Sequence, residues 1–198
     1  ARKRVKVMLS GDGADEQFFG YGRMQTYLNA MPYYHFPYLI RRVINKINKI
    51  SGTSYRNEKE LIFFKHVFAP PEIINTFSHS VEELSAEFHA PYAGIDVPND
   101  IYIKLITLYR YFQYQLFKVD LGSMYHSIET RIPFADKMFI NSVIPFRAKD
   151  ICNNNYEIRK IPLRNIYKKS FYPLKGHLMK KKGFKIDIEN LLKNQLRE

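Results

Sequence analysis

Apolar positions along the chain fall into short stretches separated by clusters of glycine, proline and charged residues. Residues 5–9 are apolar and partly β-branched and are followed by Ser-Gly-Asp-Gly, which predicts a short buried strand and then a turn. From Ala14 the apolar spacing becomes helical, and it continues until Pro32. Residues 36–50 predict an amphipathic helix, with basic side chains on one face and an apolar set on the other: Leu39, Ile40, Val43, Ile44 and Ile47.

The rest of the chain reads as a row of helices. The same criteria predict helices over 58–68, 71–77, 81–89, 100–121, 136–143 and 161–169, with a connector at 90–98 and a less regular, lysine-rich end after Pro173. A single strand cannot satisfy its own backbone groups. Either further strands lie among the loops, or the sheet is completed by residues outside this chain. We expect the second, and an α/β fold class.

Composition narrows the class of protein. The chain has 198 residues, 45% of them hydrophobic and 25% charged, which suits one globular domain with 15 Tyr and 15 Phe to fill its core. Cys152 is the single cysteine, so no internal disulfide can form, and we expect a reducing, cytoplasmic location. No apolar run approaches the ~20 residues of a membrane span, so no membrane partner is expected. The six histidines show no metal-type spacing.

Residues 10–16, Ser-Gly-Asp-Gly-Ala-Asp-Glu, lie between the predicted strand and the first helix. The glycines allow a sharp turn, and free N–H groups at a helix start can bind an anion. Asp15 and Glu16 cannot hold phosphate directly, but a carboxylate can hold a Mg²⁺ ion that bridges phosphate oxygens. A simpler interpretation has Asp12 capping the helix and the glycines only turning the chain. The residues alone leave both open.

Residues 118–136 contain a second candidate. Glu129 and Arg131 stand two apart in a stretch predicted to be extended before Pro133, so their side chains project to the same side. They form either a surface ion pair worth under ~1 kcal/mol or, buried at a cleft, a general base with a cation beside it.

Two basic segments follow, at residues 160–164 and 180–184. Charge runs are usually solvated faces. Cations beside a glycine can also close over a triphosphate, because opposite charges at contact distance attract strongly.

Together and in this order, the segments resemble the synthetase domain of glutamine-hydrolysing asparagine synthetases. That family carries Ser-Gly-x-Gly-x-Asp-Glu after a strand, Lys-Val-Asp-x-x-Ser-Met with a following Glu-x-Arg-x-Pro-Phe-x-Asp, Lys-x-x-Leu-Arg, and a late Lys-x-Gly-Phe. All four occur here, at residues 10–16, 118–136, 160–164 and 181–184. Each is weak alone, but four in register across nearly the whole chain form a specific signal.

The resemblance implies an adenine-nucleotide alpha-hydrolase-like (ATP pyrophosphatase) fold, of which this chain covers mainly the helical C-terminal part. Residues 1–30 would supply a strand, the nucleotide and Mg²⁺ loop and a helix, 31–99 a helical insertion and connector, and 100–198 the helical region with the catalytic segments. ATP would activate aspartate as β-aspartyl-AMP with release of pyrophosphate, and ammonia from glutamine would displace AMP.

The resemblance also assigns residues to roles. The nucleotide site would include Ser10, Gly11, Gly13, Asp15, Lys160 and Arg164, with Asp15 also holding Mg²⁺. Asp12 would take part in forming the intermediate, and Glu129 would be the acid–base carboxylate. Lys181 would stabilise charge on the reacting phosphate, where a preorganised cation is worth roughly 10²–10³ in rate.

The chain departs from the family pattern in several places. Phe19 stands where the family commonly has Gly, and Met179 where an Arg often precedes the lysine by two. No Ser-Gly-Gly-x-Asp-Ser phosphate loop and no N-terminal Cys nucleophile occur in the chain. We therefore expect a partner, an upstream segment or chain that carries the phosphate loop and a glutaminase domain.

Three other functions stay open at this level. One is a non-catalytic remnant or partner subunit of such a synthetase, and another is a related amidotransferase or lactam-forming enzyme with a different acceptor. The third is a basic nucleic-acid-binding module, suggested by the net charge of +12. It is disfavoured because no nucleic-acid motif accompanies the charge.

Overall fold

A computed structural model describes residues 3–67, 80–171 and Leu178. The strands are β1 (Val7–Leu9) and β2 (Glu129–Arg131). The α-helices are α1 (Ala14–Gln17), α2 (Gly22–Ala30), α3 (Tyr38–Asn48), α4 (Glu58–Val67), α5 (Val81–His89), α6 (Asn99–Ile106), α7 (Gln113–Met124), α8 (Lys137–Val143), α9 (Ala148–Ile151) and α10 (Ile161–Ser170). The chain divides into two units, Ala1–Pro162 and Leu163–Glu198. Within the described residues no helix is both long and apolar enough to cross a membrane.

Most predicted helices are confirmed within one or two residues of their bounds. The helix α5 begins with a capping box, in which the Ser80 hydroxyl accepts from the Glu83 N–H and the Glu83 carboxylate accepts from the Ser80 N–H. The helix α8 begins at Asp136, whose carboxylate accepts from the Phe139 N–H at 2.9 Å. The predicted helix at 71–77 lies outside the described residues.

The two strands form a parallel pair, which corrects two expectations. Val7 pairs with Glu129 and Leu9 with Arg131, so one partner of β1 lies within the chain instead of outside it. The sequence did not indicate β2 as a strand, because Glu-Thr-Arg has no apolar pattern. Strand β1 is also exposed rather than buried, with Val7 43% and Leu9 74% accessible, because no described layer covers its faces.

The helix predicted from Ala14 to Pro32 is interrupted at residues 18–21. Phe19 has a left-handed backbone with φ 54°, and Tyr21 is extended. The Gly20 N–H donates to the Asp15 carbonyl at 2.8 Å, which closes α1. A left-handed conformation costs a non-glycine residue about 1 kcal/mol, and here the complete burial of the Phe19 ring offsets that cost. Glycine, which the family pattern that the sequence resembles commonly has here, adopts this backbone without the steric cost of a side chain.

The long helix predicted over 100–121 is present as a continuous helical path from Asn99 to Met124, but its middle is a π-helix, Thr107–Phe112. A π turn contains one more residue than an α turn. The π segment packs against α1 through Phe112, which lies beneath Gly13. Residues 107–112 contain no proline or glycine that would have indicated this irregularity.

Packing of α2, α4 and α6 forms the centre of the first unit. The fully buried apolar side chains there include Met24, Tyr27, Leu28, Leu61, Ile62, Ile103 and Ile106. Asp100, at the start of α6, is 4% exposed and receives two hydrogen bonds from Arg147 Nε, at 2.7 and 2.8 Å, and one from the Ala148 N–H at 2.8 Å. Burial raises the pKa of Asp100, but these hydrogen bonds outweigh it and hold the pKa below its usual value.

The ring of His66 connects α4 to the π segment. Its Nδ1 lies 2.8 Å from the Ile62 carbonyl oxygen and its Nε2 lies 3.1 Å from Thr107 Oγ1. Burial lowers the pKa of His66 from 6.5 to about 4. The folded protein therefore stays unprotonated at this ring over a pH range in which the unfolded chain takes up a proton.

Acid is expected to destabilise the protein through His66. Between pH 6.5 and 4 only the unfolded state binds the proton, so the free energy of unfolding falls as pH falls, by up to about 3 kcal/mol from this group. The variant His66→Asn keeps a donor toward Ile62 but does not titrate. Denaturant unfolding at a series of pH values should give a shallower decline for the variant than for the wild type, and parallel curves would contradict the assignment.

Candidate functional site

The loop of residues 10–13 leaves the carboxyl end of β1 and is fixed to the neighbouring strand. The Ser10 N–H donates to the Arg131 carbonyl at 2.9 Å, and the Ser10 hydroxyl donates to the Asp12 carboxylate. The residue that precedes α1 is Gly13, and no side chain caps that helix. The interpretation of Asp12 as a helix cap is therefore wrong, and its carboxylate is held by Ser10 in the turn instead.

The loop rests on two aromatic side chains, which explains one of its glycines. Gly13 has φ 94°, and a Cβ on it would lie 2.7 Å from Phe112 Cζ and 2.9 Å from Phe134 Cβ. A side chain would be excluded by both backbone and space. Gln17, at the end of α1, donates to the Phe134 carbonyl at 2.6 Å and holds the same turn in place. Gly11 meets nothing within 4 Å of a Cβ, so the described neighbours do not require glycine there.

Asp15 and Lys160 meet directly. The Lys160 Nζ lies 2.7 Å from Asp15 Oδ1, and the two side chains are only 25% and 17% exposed. The structure thus brings together two residues that the family resemblance assigns to one nucleotide site, from opposite ends of the chain. A partly buried pair of this kind is stronger than a surface ion pair.

Gly20 makes room for this ion pair. A Cβ on Gly20 would be in contact with Asp15 Oδ1 and 2.5 Å from Lys160 Cε. Gly20 follows the left-handed Phe19, and its backbone passes close to the Asp15 carboxylate. The ion pair between Asp15 and Lys160 therefore requires a residue without a side chain at position 20.

Replacement of Gly20 with alanine is expected to separate Asp15 from Lys160. The added methyl group displaces the short Asp15 side chain, which has little freedom to avoid it. We expect a loss of about 1–3 kcal/mol in the free energy of unfolding and a loss of any activity that needs the pair. The control is Gly22→Ala, where a Cβ meets nothing within 4 Å. Equal effects of the two substitutions in denaturant unfolding would contradict this explanation.

An arginine enclosed by aromatic rings lies next to the loop. The Arg23 guanidinium carbon is 4.3 Å from the Tyr21 ring centre and 4.0 Å from the Tyr111 ring centre. The Tyr21 hydroxyl donates at 2.5 Å to Glu16, a carboxylate that is 2% exposed. Burial, and then Glu16, raise the pKa of Tyr21 well above its usual value. Sequence analysis missed this group, although Glu16 belongs to the loop segment and the aromatic residues follow it.

Glu129 is placed on the sheet rather than in a cleft. Its carboxylate accepts from Arg131 Nε at 2.7 Å, and the two side chains are 56% and 66% exposed. The prediction that they project to the same side is confirmed, and the surface ion pair is the arrangement found. Because Glu129 pairs with Val7, it lies three residues before Ser10 in register, or roughly 10 Å along the strand direction.

The remaining predicted residues are Arg164 and Lys181. Arg164 lies on α10 in the second unit, and Lys181 lies outside the described residues. The described residues contain no group of three or more His, Cys, Asp or Glu that could hold a metal ion. Mg²⁺ at a nucleotide site needs only one or two carboxylates, with phosphate oxygens and water as its other ligands. Asp15 fits such an ion as a single carboxylate, with Lys160 already at one of its oxygens.

A cavity of about 620 Å³ lies elsewhere, between α4, α5 and the connector. None of the residues predicted for the nucleotide site lines it. His89 at its wall is bonded to the Tyr102 hydroxyl at 2.8 Å and to the Lys59 carbonyl at 3.0 Å. Burial lowers the pKa of His89, and both ring nitrogens already have hydrogen-bond partners, so the ring has no free donor for a phosphate group.

Comparison with known proteins gives the family. The asparagine synthase family model matches residues 1–198. The chain is 30% identical over 169 residues to a putative asparagine synthetase [glutamine-hydrolyzing] of Mycobacterium tuberculosis (strain ATCC 25618 / H37Rv), which covers 75% of the chain and 26% of that protein. It is 27% identical over 218 residues to asparagine synthetase [glutamine-hydrolyzing] 1 of Bacillus subtilis (strain 168), which covers 100% of the chain and 33% of that protein.

The matches give both the family of the chain and the share of its relatives that it covers. The chain spans about a quarter to a third of the curated relatives it matches. No solved structure matches it. Since the family model covers the whole sequence, the chain belongs to the asparagine synthase family.

Proposed function

We propose that the chain forms part of an ATP-dependent amide-forming ligase of the asparagine synthetase type. The observation that carries the proposal is the Asp15–Lys160 pair at the carboxyl end of the parallel strands. Ligands of parallel α/β sheets bind at this end of the strands. The pair supplies a carboxylate for Mg²⁺ and a cation for phosphate, which are the groups that binding of a nucleoside triphosphate requires.

The loop supports the proposal through its backbone. Gly11 is exposed and has space around it, so a phosphate group can approach its backbone closely. Ser10 and Asp12 hold the turn through their hydrogen bond. ATP would supply the leaving pyrophosphate, while these residues bind and orient it. Lys160 would then interact with phosphate oxygens as well as with Asp15.

The acceptor in this proposal is the side chain of aspartate, converted to β-aspartyl-AMP and then amidated by ammonia from glutamine. Asp12 takes part in forming the intermediate, and Lys181 stabilises the charge that develops on the phosphate. For Glu129 to act as a base, its exposed carboxylate must be covered and separated from Arg131. An upstream segment or partner chain with the phosphate loop and a glutaminase domain provides that cover and the ammonia.

Isotope exchange between ATP and pyrophosphate tests the proposal in the complete protein. Exchange that depends on aspartate is expected, and Lys181→Ala should abolish it. Lys169→Ala, which changes an exposed lysine on α10, is the matched control and should retain exchange. Exchange with another carboxylic acid, but not aspartate, would assign a different acceptor. No exchange with any acceptor would make the chain a non-catalytic member of the family.

A further inference from the structure

In the helix α3 (Tyr38–Asn48) the buried and exposed faces are the reverse of those in an ordinary surface helix. An amphipathic helix normally buries its apolar face and exposes its polar face. In α3 the buried residue is Arg41, at 3% exposure, while Leu39 and Ile47 are each 71% exposed and Val43 is 56% exposed.

Two contacts hold Arg41 in its inward position. Its Nη2 donates to the Arg56 carbonyl at 2.6 Å, and its guanidinium carbon lies 4.1 Å from the centre of the Tyr34 ring. These contacts anchor the polar side of α3 to the protein. The apolar side is therefore turned outward by packing, and not by fraying of the helix.

The outward face is a continuous apolar stripe flanked by cations. At about 100° per residue, Leu39, Val43 and Ile47 fall within one narrow arc, and Ile40 extends it at 47% exposure. Arg42 and Lys46 are exposed along one side of this stripe, and Lys49 follows the end of the helix. We call these residues the α3 face.

The α3 face has no carboxylate of its own. Residues 17–57 contain no Asp or Glu, although they contain six Lys and Arg residues. The carboxylates of Glu60 and Glu82 line a cleft with Tyr38. Tyr38 stands about 140° around the helix from Val43, so this cleft lies away from the apolar stripe, on the far side of Arg42.

We propose that the α3 face binds to the surface of an anionic phospholipid membrane. A helix with an apolar stripe and flanking Lys and Arg inserts its apolar side chains at the boundary between headgroups and acyl chains, while the cations contact lipid phosphates. At 11 residues, α3 is too short to span the bilayer and lies in its plane. The proposal therefore departs from the expectation of no membrane partner, which rested only on the absence of an apolar run long enough to span a bilayer.

Charge separates this partner from a second copy of the chain. Two α3 faces packed against each other would bring together surfaces that carry Arg42 and Lys46 and no carboxylate, so the cations would gain no opposite charge and would repel each other where they lie on the same side. An anionic surface neutralises the same cations. The charge pattern therefore favours a lipid surface over self-association.

Vesicle flotation of the purified protein tests the proposal. We expect binding to vesicles that contain phosphatidylglycerol in phosphatidylcholine, weaker binding to phosphatidylcholine alone, and a decrease with salt. The variant Leu39→Ser/Val43→Ser/Ile47→Ser should bind roughly tenfold or more weakly. Because these side chains are exposed, the folded state should persist, which circular dichroism and the melting temperature verify.

A charge variant and two matched controls distinguish the α3 face from the general basicity of the protein. Arg42→Glu/Lys46→Glu should reduce binding roughly thirtyfold or more, since each cation near an anionic membrane contributes about a factor of five. Lys168→Glu/Lys169→Glu makes the same change of net charge on α10 and should retain most binding. Met138→Ser, at a side chain that is 82% exposed elsewhere, is the apolar control.

The outcomes of the vesicle experiment either support the proposal or overturn it. Loss of binding confined to the α3 variants supports the proposal. Equal loss in the α10 variant, full binding by the triple serine variant, or no preference for anionic vesicles overturns it. Concentration-dependent dimerisation that the serine variant abolishes, without vesicle binding, would assign the face to a second copy instead.

Discussion

Replacement of Lys104 with methionine is expected to lower the free energy of unfolding by about 3–5 kcal/mol. The Lys104 side chain is fully buried, and its ammonium group donates to three carbonyl oxygens at the end of α8 and just after it, those of Val143, Ile144 and Phe146, at 3.1, 3.2 and 2.6 Å. Methionine has a similar shape but no donor, so three carbonyls would lose their hydrogen bonds inside the protein. Denaturant unfolding of the two proteins measures the difference.

The control is Lys149→Met, an equivalent substitution at an exposed position of α9, which should change stability by less than about 0.5 kcal/mol. Burial lowers the pKa of Lys104 from 10.5 to about 8. Between pH 8 and 10.5 only the unfolded state holds this proton, so Lys104 makes stability rise with pH over that range. The wild type should therefore show this rise relative to the variant. A small stability difference with no pH dependence would contradict the assigned role.

Replacement of Asp15 with asparagine is expected to reduce exchange between ATP and pyrophosphate by roughly 10²–10³-fold in the complete protein. Asparagine has the same shape, but it cannot neutralise Lys160, whose Nζ lies 2.7 Å away. It is also a poor ligand for Mg²⁺ compared with a carboxylate. The proposed site loses its acidic member while the loop keeps its hydrogen bonds through Ser10 and Asp12.

Two comparisons show whether Asp15 acts on the nucleotide or only on the fold. Lys160→Met removes the other member of the pair and should raise the KM for ATP. Asp96→Asn makes the same chemical change at an exposed position in the connector and should have no effect on exchange. If Asp15→Asn lowers the melting temperature but leaves both kcat and KM unchanged, the pair is structural and the proposed nucleotide site is wrong.

The order of the helices could be predicted from the sequence because the residues that begin each helix act locally and the packing does not override them. Ser80 and Glu83 indicate the start of α5, and Asp136 the start of α8, through side-chain hydrogen bonds formed within three residues. The break after α1 was not accessible. It depends on Phe19 accepting a left-handed backbone in exchange for complete burial, which is a property of the surrounding packing.

The candidate site was accessible only in part. The family resemblance placed Asp15 and Lys160 in one nucleotide site, but no spacing along a chain can indicate that two side chains so far apart will touch. Strand β2 was missed as a strand because its three residues are polar or charged and gain their pairing from β1. Arg23 was missed because one of its partners, Tyr111, comes from the π segment, which is distant in the sequence.

The π segment, Thr107–Phe112, divides the long helical path into two parts, and it rotates the side chains of the second part around the helix axis relative to the first. One additional residue turns everything after it by roughly 100° relative to an uninterrupted α-helix. The consecutive side chains Tyr111 and Phe112 thereby reach two different targets, Arg23 and Gly13. The same offset sets the direction in which α7 delivers the chain to β2. A substitution in this segment changes only the contacts of the replaced side chain. Insertion or deletion of a single residue would change the direction in which the chain enters β2, and Glu129 would move with that strand.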